Sequence, residues 1–203
     1  MPYQEVEAML GLLARLVFEA IQRYRRLHGH ELPTVLVLEE AHTFVHRGRA
    51  EESNEILTPA QMCRQTFEKI AREGRKFGLG LLLSSQRPYE LSPTVLAQCN
   101  TFLLHRLVND QDQELVTRLV PDNVRGLLSE LPSLPAGQAI LLGWAAPVPV
   151  LVEMNFLPED QRPRSSDPDF WDVWSGTKPR PVNWHDVVSE WTQLPKQEPP
   201  ADD

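Results

Sequence analysis

Three absences narrow the class of this protein before any motif is considered. The two cysteines, Cys63 and Cys99, lie far apart without the spacing of metal ligands, so we expect reduced thiols of a cytoplasmic protein. No apolar run approaches the length that crosses a bilayer, and no signal peptide opens the sequence, so no membrane partner is expected. The third absence is a Gly-x-x-x-x-Gly-Lys-Ser/Thr loop, because none of the 10 glycines stands at that spacing.

The charge of the chain is acidic overall but unevenly spread. A formal net charge of -8 argues against a simple nucleic-acid-binding module, since such modules are usually basic. Residues 64–87 nevertheless contain six basic and two acidic side chains, whereas residues 153–203 contain eleven acids and five bases. A local basic patch of this kind suits the binding of a phosphate better than the coating of a duplex, but on charge alone a solvated helix face is the better explanation.

Strands alternate with helices along most of the chain. The predicted elements are a helix at 5–27, a strand at 34–38, a helix from Thr58 to about Lys76, a strand at 79–84, a short helix from Ser92, a strand at 101–107, a helix from Asp110, and strands at 138–142 and 148–152. This order predicts an α/β fold with a mainly parallel sheet flanked by helices and an antiparallel closing pair. The start of the second helix is marked by the capping signal Thr58-Pro59-Ala60-Gln61, with threonine at the cap, proline at the first helical position and glutamine at the third.

The composition changes after Pro158. We therefore divide the chain into an α/β core at 1–158 and an acidic tail at 159–203 that is rich in proline and tryptophan. The tail is predicted to pack through aromatic anchors and to be disordered from about Pro195. The anchors are Trp171, Trp174, Trp184 and Trp191.

Two carboxylates follow the first predicted strand directly, as an apolar run leads into Glu39 and Glu40. Such a run is typical of a parallel strand buried on both faces, and parallel sheets carry their chemistry at the carboxyl ends of the strands. In P-loop ATPases the corresponding Walker B strand supplies one acid for the Mg²⁺ shell and one that polarises the attacking water. We assign Glu39 to the first role and Glu40 to the second, the alternative being two solvated acids at a strand end.

Two further polar segments accompany this strand. Gln86 follows the second predicted strand, where it would hydrogen-bond the γ-phosphate or the attacking water, unless it is only part of a polar strand exit. Arg72 and Arg75 share roughly one face at the end of the preceding helix, and an arginine can stabilise transition-state charge from a neighbouring subunit. The alternative for the arginines is a basic helix end that is favoured by the helix dipole.

The order of these segments closely resembles the HerA family of DNA-translocating ATPases, which are relatives of FtsK. The resemblance runs from about Leu32 to Pro158. It is carried by Glu39-Glu40-Ala41-His42, by Arg72-Glu73-Gly74-Arg75-Lys76-Phe77-Gly78, by Ser85-Gln86-Arg87-Pro88 and by Val95-Leu96-Ala97-Gln98-Cys99-Asn100-Thr101.

The resemblance implies the C-terminal part of a RecA-like P-loop NTPase core that assembles as a ring of six subunits. ATP with Mg²⁺ would bind at the subunit interfaces, double-stranded DNA would pass through the assembled pore, and a nuclease or another effector is a further candidate partner. The resemblance makes Glu40 the catalytic acid, Gln86 the sensor of the nucleotide, and Arg72 or Arg75 the arginine that acts in trans. Arg106, after the third strand, is a weaker candidate for the same interface.

The missing phosphate-binding loop is the main departure from the family pattern, and glutamate instead of aspartate at Glu39 is a lesser one. In the family the Walker A loop precedes the Walker B strand by a long stretch of sequence. Two functions therefore stay open: half of a motor that a loop-bearing chain or segment completes, or an inactive remnant that acts as a scaffold or regulatory subunit. An unrelated α/β domain is the third alternative. The presence of Glu40, Gln86 and the arginines together favours the first.

Overall fold

The computed structural model describes residues 3–48, 57–119, 125–161, 170–178 and 181–192. The chain forms two compact units, Met1–Phe156 and Leu157–Asp203. The helices are α1 (Tyr3–His28), α2 (Pro59–Glu73), α3 (Pro93–Leu96), α4 (Asp110–Leu119), α5 (Arg125–Leu128), α6 (Phe170–Trp174) and α7 (Trp184–Thr192). The strands are β1 (Thr34–Leu38), β2 (Leu79–Leu83), β3 (Thr101–Leu104), β4 (Gln138–Gly143) and β5 (Ala146–Glu153).

Helix α2 begins at the capping signal that the sequence predicts. The Thr58 hydroxyl accepts from the Gln61 backbone N–H at 3.3 Å, and the Gln61 side chain accepts from the Thr58 N–H at 2.7 Å. Pro59 occupies the first helical position, where its missing N–H costs no hydrogen bond. The predicted capping box is thus confirmed, and it fixes where the helix between β1 and β2 starts.

Helices α1 and α2 pack against each other at close range. A Cβ atom added at Gly11 would lie 3.0 Å from the Cα of Cys63, so a larger residue there would push the helices apart. Burial, together with the charge of Glu7, raises the pKa of the Cys63 thiol to about 11, which keeps it protonated. The buried core of this region contains Ala14, Phe18, Ile21, Leu38, Ala41, Val45, Cys63, Phe67, Ile70, Leu79, Leu91, Val95 and Leu96.

Strands β1 and β2 pair in parallel, with Thr34 opposite Leu79 and Leu38 opposite Leu83. One face of this pair packs on the core, but the other face exposes Val35, Val37 and Leu82, whose exposed fractions are 65%, 56% and 50%. The prediction that β1 is buried on both faces is therefore wrong for this chain. The apolar run is suited to a covered strand, yet these side chains remain open to solvent.

Strand β3 belongs to a second sheet, in which β3, β4 and β5 pair antiparallel in that order. The α/β class is observed, but the sheet is not mainly parallel, because among the described residues only β1 and β2 pair in parallel. The hairpin of β4 and β5 pairs with β3 and makes the antiparallel part three strands wide. Its core contains Val116, Leu128, Leu131, Leu134, Ile140 and Leu142.

The second unit exposes its aromatic side chains. Trp171, Trp174, Trp184 and Trp191 are all more than two-thirds exposed within the described residues. Their role as anchors stays a prediction, and the end predicted to be disordered from about Pro195 lies outside the described residues. Among the described helices, none has an apolar stretch long enough to span a membrane.

Candidate functional site

The carboxyl ends of β1 and β2 are held together beyond the strands themselves. The Ser84 N–H donates to the Leu38 carbonyl at 2.9 Å, and the Ala41 N–H donates to the Ser84 carbonyl at 2.9 Å. Ala41 is fully buried and begins a short 3-10 turn, Ala41–Thr43. The residues that follow the two strands are thereby brought to a common edge.

Glu40 turns the chain from β1 into the 3-10 turn through a left-handed backbone conformation. Its backbone angles are φ 47° and ψ 43°. In the described part of the chain, Glu40 is the one residue other than glycine that has a positive φ. Residues other than glycine rarely adopt this backbone conformation. Those that do are concentrated at functional sites, where the surrounding structure holds the backbone in the strained conformation. The geometry therefore singles out Glu40 independently of its charge.

Glycine at this position is expected to stabilise the chain. Glu40→Gly relieves the contact of Cβ with the backbone at positive φ, and we expect a net gain of about 0.5–1 kcal/mol in the free energy of unfolding. Urea denaturation of the 203-residue chain measures it. Glu39→Gly is the matched control, and it should lose stability because glycine at a strand end gains no such relief. A loss of stability in Glu40→Gly would contradict this expectation and would show that the contacts of the Glu40 side chain outweigh the relief at its backbone.

The Glu40 carboxylate lies between the two strand ends. The Gln86 side-chain N–H donates to Glu40 Oε1 at 3.1 Å, and His42 Nδ1 lies 3.5 Å from Glu40 Oε2. His42 Nδ1 also lies 3.1 Å from the Ser85 hydroxyl. The carboxylate is about half exposed, at 53%, so a water molecule or a phosphate can approach it.

The structure brings Glu40 and Gln86 together, as parallel pairing of their strands requires. Sequence reasoning gave no role to His42 or Ser85, although both stand inside the segments that carry the resemblance. The signal that could have found them is the position of His42 two residues after Glu40, with Ser85 just before Gln86. The roles of Glu40 and Gln86 in catalysis remain predictions.

Glu39 is exposed at the end of β1. No group of three or more metal-ligating side chains occurs in the described ranges. A single exposed carboxylate fits the way in which nucleotide sites bind Mg²⁺. In such sites the ion keeps several water ligands and is coordinated by one or two carboxylates and by the phosphates of the substrate. An exposed single carboxylate can supply such a contact, but it cannot form a metal cage alone.

Arg72 and Arg75 lie at the opposite end of the parallel pair from Glu40. Arg72 is in the last turn of α2 and Arg75 is in the 3-10 turn Gly74–Phe77, which leads into the start of β2. The five residues of β2 separate them from Gln86 by about 16 Å at the usual rise per residue. At this separation neither arginine reaches the Glu40 of the same subunit. Both side chains are exposed, so they are accessible to a neighbouring subunit.

Arg106 is exposed two residues beyond β3, which lies in the antiparallel sheet. It takes no part in the hydrogen bonds that join Glu40, His42, Ser85 and Gln86. The structure therefore does not bring Arg106 into the Glu40 cluster, and its role at an interface stays a prediction.

Curated relatives confirm the resemblance to HerA. A probable helicase of Methanocaldococcus jannaschii is 40% identical over 125 residues, which is 62% of this chain and 22% of the relative. The DNA double-strand break repair helicase HerA of Pyrococcus furiosus is 36% identical, over 61% of this chain and 21% of its own length. A second probable helicase of M. jannaschii is 30% identical over 83% of this chain and 31% of its own. The chain thus matches only about a fifth to a third of the length of these relatives, and no protein-family model matches it.

A solved structure confirms the fold class. The genome packaging NTPase B204 of Sulfolobus turreted icosahedral virus 2, in complex with AMPPCP, superimposes with a TM-score of 0.51 at 17% identity. The match covers 71% of this chain and 62% of the viral chain. The α/β fold of this NTPase is therefore shared by the chain, in which the antiparallel sheet has three strands in the described residues.

Proposed function

From its confirmed resemblance to the HerA helicases, we propose that this chain is the hydrolysis-bearing part of a HerA-type, ATP-driven DNA translocase. A segment that carries a Walker A loop completes the site. The observation that carries the proposal is the Glu40–Gln86 hydrogen bond at the joined carboxyl ends of β1 and β2. It places an acid and an amide at the edge where a parallel sheet binds its ligand.

Each polar residue at this edge has a distinct task in the proposed reaction. Glu40 accepts a hydrogen bond from the attacking water and polarises it towards the γ-phosphate, for which its half-exposed carboxylate is accessible. Gln86 contacts the γ-phosphate or that water and so distinguishes ATP from the product. Glu39 contributes to the hydrated shell of Mg²⁺, which when bound neutralises charge that develops on the phosphate oxygens.

The open face of the parallel pair supports completion by another segment. Val35, Val37 and Leu82 are at least half exposed, although parallel sheets are normally covered on both faces. The curated relatives are three to five times longer than the region that they share with this chain, so the relatives have additional sequence that can supply such a cover. Whether the loop-bearing segment is part of a longer chain or a separate polypeptide does not alter the chemistry.

The position of the arginines supports a ring. Arg72 and Arg75 lie at the end of the sheet remote from their own Glu40, so a contact with nucleotide requires another subunit. A repeated head-to-tail contact forms a ring when its rotation closes, and we propose a closed ring of six subunits around double-stranded DNA. A nuclease or another effector coupled to this ring is a further proposed partner.

The 203 residues by themselves are expected to bind ATP–Mg²⁺ weakly or not at all. Backbone N–H groups and the lysine of a phosphate-binding loop provide much of the contact to a triphosphate, and this sequence contains no such loop. Isothermal calorimetry on the isolated chain tests this. The same chain joined to the loop-bearing N-terminal segment of a HerA relative should bind ATP and hydrolyse it, with stimulation by double-stranded DNA.

The two arms of this experiment separate the possible functions. Micromolar affinity of the isolated chain would contradict the proposal and indicate a different nucleotide site. A completed assembly that binds ATP but does not hydrolyse it would favour the scaffold or regulatory function instead. Replacing the lysine of the added loop by alanine is the control, since it should abolish binding without touching these 203 residues.

A further inference from the structure

His42 lies between the two strand ends that form the proposed site. It is in the 3-10 turn that follows β1, and its side chain is only 17% exposed. Its Nδ1 atom faces two oxygens at once: the Ser85 hydroxyl at 3.1 Å and Glu40 Oε2 at 3.5 Å. One ring atom thus lies between the loop after β2 and the acid after β1.

Ser85 is itself held in place by the backbone. Its hydroxyl accepts a hydrogen bond from the Arg87 N–H at 3.0 Å, which restricts the rotation of the side chain. A hydroxyl retains one further acceptor site after such a bond, so Ser85 can accept a hydrogen bond from His42 Nδ1–H. The proton on Nδ1 also makes the approach of Nδ1 to the Glu40 carboxylate favourable, because a carboxylate oxygen can only accept. The Ser85 hydroxyl is therefore a fixed anchor for the His42 ring.

The carboxylate of Glu40 is consequently contacted on both of its oxygens. Gln86 binds Oε1 directly from the β2 side, and His42 approaches Oε2 while it is tied to the same side through Ser85. A carboxylate with a single contact can rotate about its terminal torsion, which is broad. Two contacts on different oxygens define its plane, and that plane decides where a water bound to Glu40 lies relative to the phosphate.

We propose that His42, anchored by Ser85, is a positioning residue that orients the Glu40 carboxylate for attack. The inference rests on the proposed function, because it assigns a second support to the same catalytic acid. Two sets of contacts then connect the end of β2 to Glu40: the direct hydrogen bond from Gln86, and the contacts from Ser85 through His42. A residue that acts only on orientation should affect turnover and leave nucleotide binding unchanged.

The test uses the completed, loop-bearing assembly. His42→Ala should lower kcat about 10- to 100-fold, as removal of residues that orient a functional group does elsewhere, with KM for ATP within about twofold. His42→Asn should recover a large part of the loss, because its amide nitrogen lies near the position of Nδ1 and can donate to Glu40. The thermal midpoint of His42→Asn is measured alongside, so that unfolding is not mistaken for misorientation.

A double-mutant cycle tests the anchor. Ser85→Ala alone should lower kcat, but in the His42→Ala background it should have no further effect, because both changes interrupt the same route. His46→Ala is the matched control: His46 is near in sequence and forms an isolated bridge with Leu91 through its backbone, so the change should leave kcat unaltered.

Three results would overturn the inference. They are an unchanged kcat in His42→Ala, a loss that appears in KM instead of kcat, and additive effects of His42→Ala and Ser85→Ala. Failure of the proposed function has a different signature, because either the unmodified assembly would not hydrolyse ATP or Glu40→Gln would remain active in it. An inactive Glu40→Gln together with an active His42→Ala contradicts only the role of His42.

Discussion

Glu40→Gln in the completed assembly is expected to stop ATP hydrolysis and to leave ATP binding intact. The amide keeps the size and shape of the side chain, but it cannot polarise a water molecule as the carboxylate does. General-base assistance of this kind contributes about 10²- to 10⁴-fold in rate, so turnover should fall by at least the lower figure. The measurement is steady-state hydrolysis with saturating double-stranded DNA, together with calorimetric titration of ATP.

Two comparisons make this result specific. Glu5→Gln applies the same chemical change to an exposed residue of α1, so it should leave turnover unchanged. The contact with Gln86 is not the reason for the loss, because the carbonyl oxygen of the new glutamine can still accept from the Gln86 amide. If turnover falls by less than about tenfold, equal to roughly 1.4 kcal/mol of barrier, Glu40 does not activate the water.

The parts of the site that follow from local rules could be predicted from the sequence. The Thr58–Gln61 capping box is encoded within four residues, and it fixes the start of the helix between the two parallel strands. Once β1 and β2 are parallel, their carboxyl ends share an edge, so Glu40 and Gln86 must be neighbours. The same connectivity places Arg72 at the other edge, because a helix that joins two parallel strands runs back along the sheet.

The parts that depend on long-range pairing or on backbone dihedrals could not be predicted. The apolar pattern of β3 suits a strand of either direction, and its antiparallel partner β4 lies more than thirty residues later in the chain. The positive φ of Glu40 arises because the chain must turn sharply from β1 into a buried alanine, and no residue preference signals it at a glutamate. The sequence places His42 and Ser85 beside Glu40 and Gln86, but it does not show that the His42 ring contacts the Ser85 hydroxyl, because the two residues are 43 positions apart.

Removal of the arginine that acts across the subunit boundary is expected to have the largest effect of all. An arginine supplied by a neighbour is worth about 10³- to 10⁵-fold in rate in other phosphoryl-transfer systems. Arg72 and Arg75 are the candidates, since both are exposed at the sheet end remote from their own Glu40. In the described part of the chain no ion pair engages either guanidinium, so neither change should unfold the chain.

Single substitutions identify which arginine is responsible. Arg72→Ala and Arg75→Ala are each compared with Arg26→Ala, which removes an exposed arginine from the last turn of α1. One of the first two should nearly abolish turnover, whereas Arg26→Ala should leave it near the wild-type rate. The positive charge alone is not sufficient for this role, because lysine lacks the planar guanidinium group that contacts two phosphate oxygens at once. Arg→Lys at the responsible position should therefore recover little activity.

Mixing of subunits then shows whether the arginine acts in trans. Subunits with the inactivating arginine change are combined with subunits that carry Glu40→Gln, each inactive when assembled alone. If the arginine serves a neighbour, about a quarter of the interfaces in an equal random mixture pair an intact Glu40 with an intact arginine, because each interface of a ring takes its two sides from different subunits. Activity should then partly return, in proportion to the fraction of such interfaces.

If the arginine served its own subunit, every site would carry one defect and mixing would restore nothing. An absence of recovery, or full activity in both arginine variants alone, would remove the trans assignment and favour a scaffold that retains the sheet without the reaction.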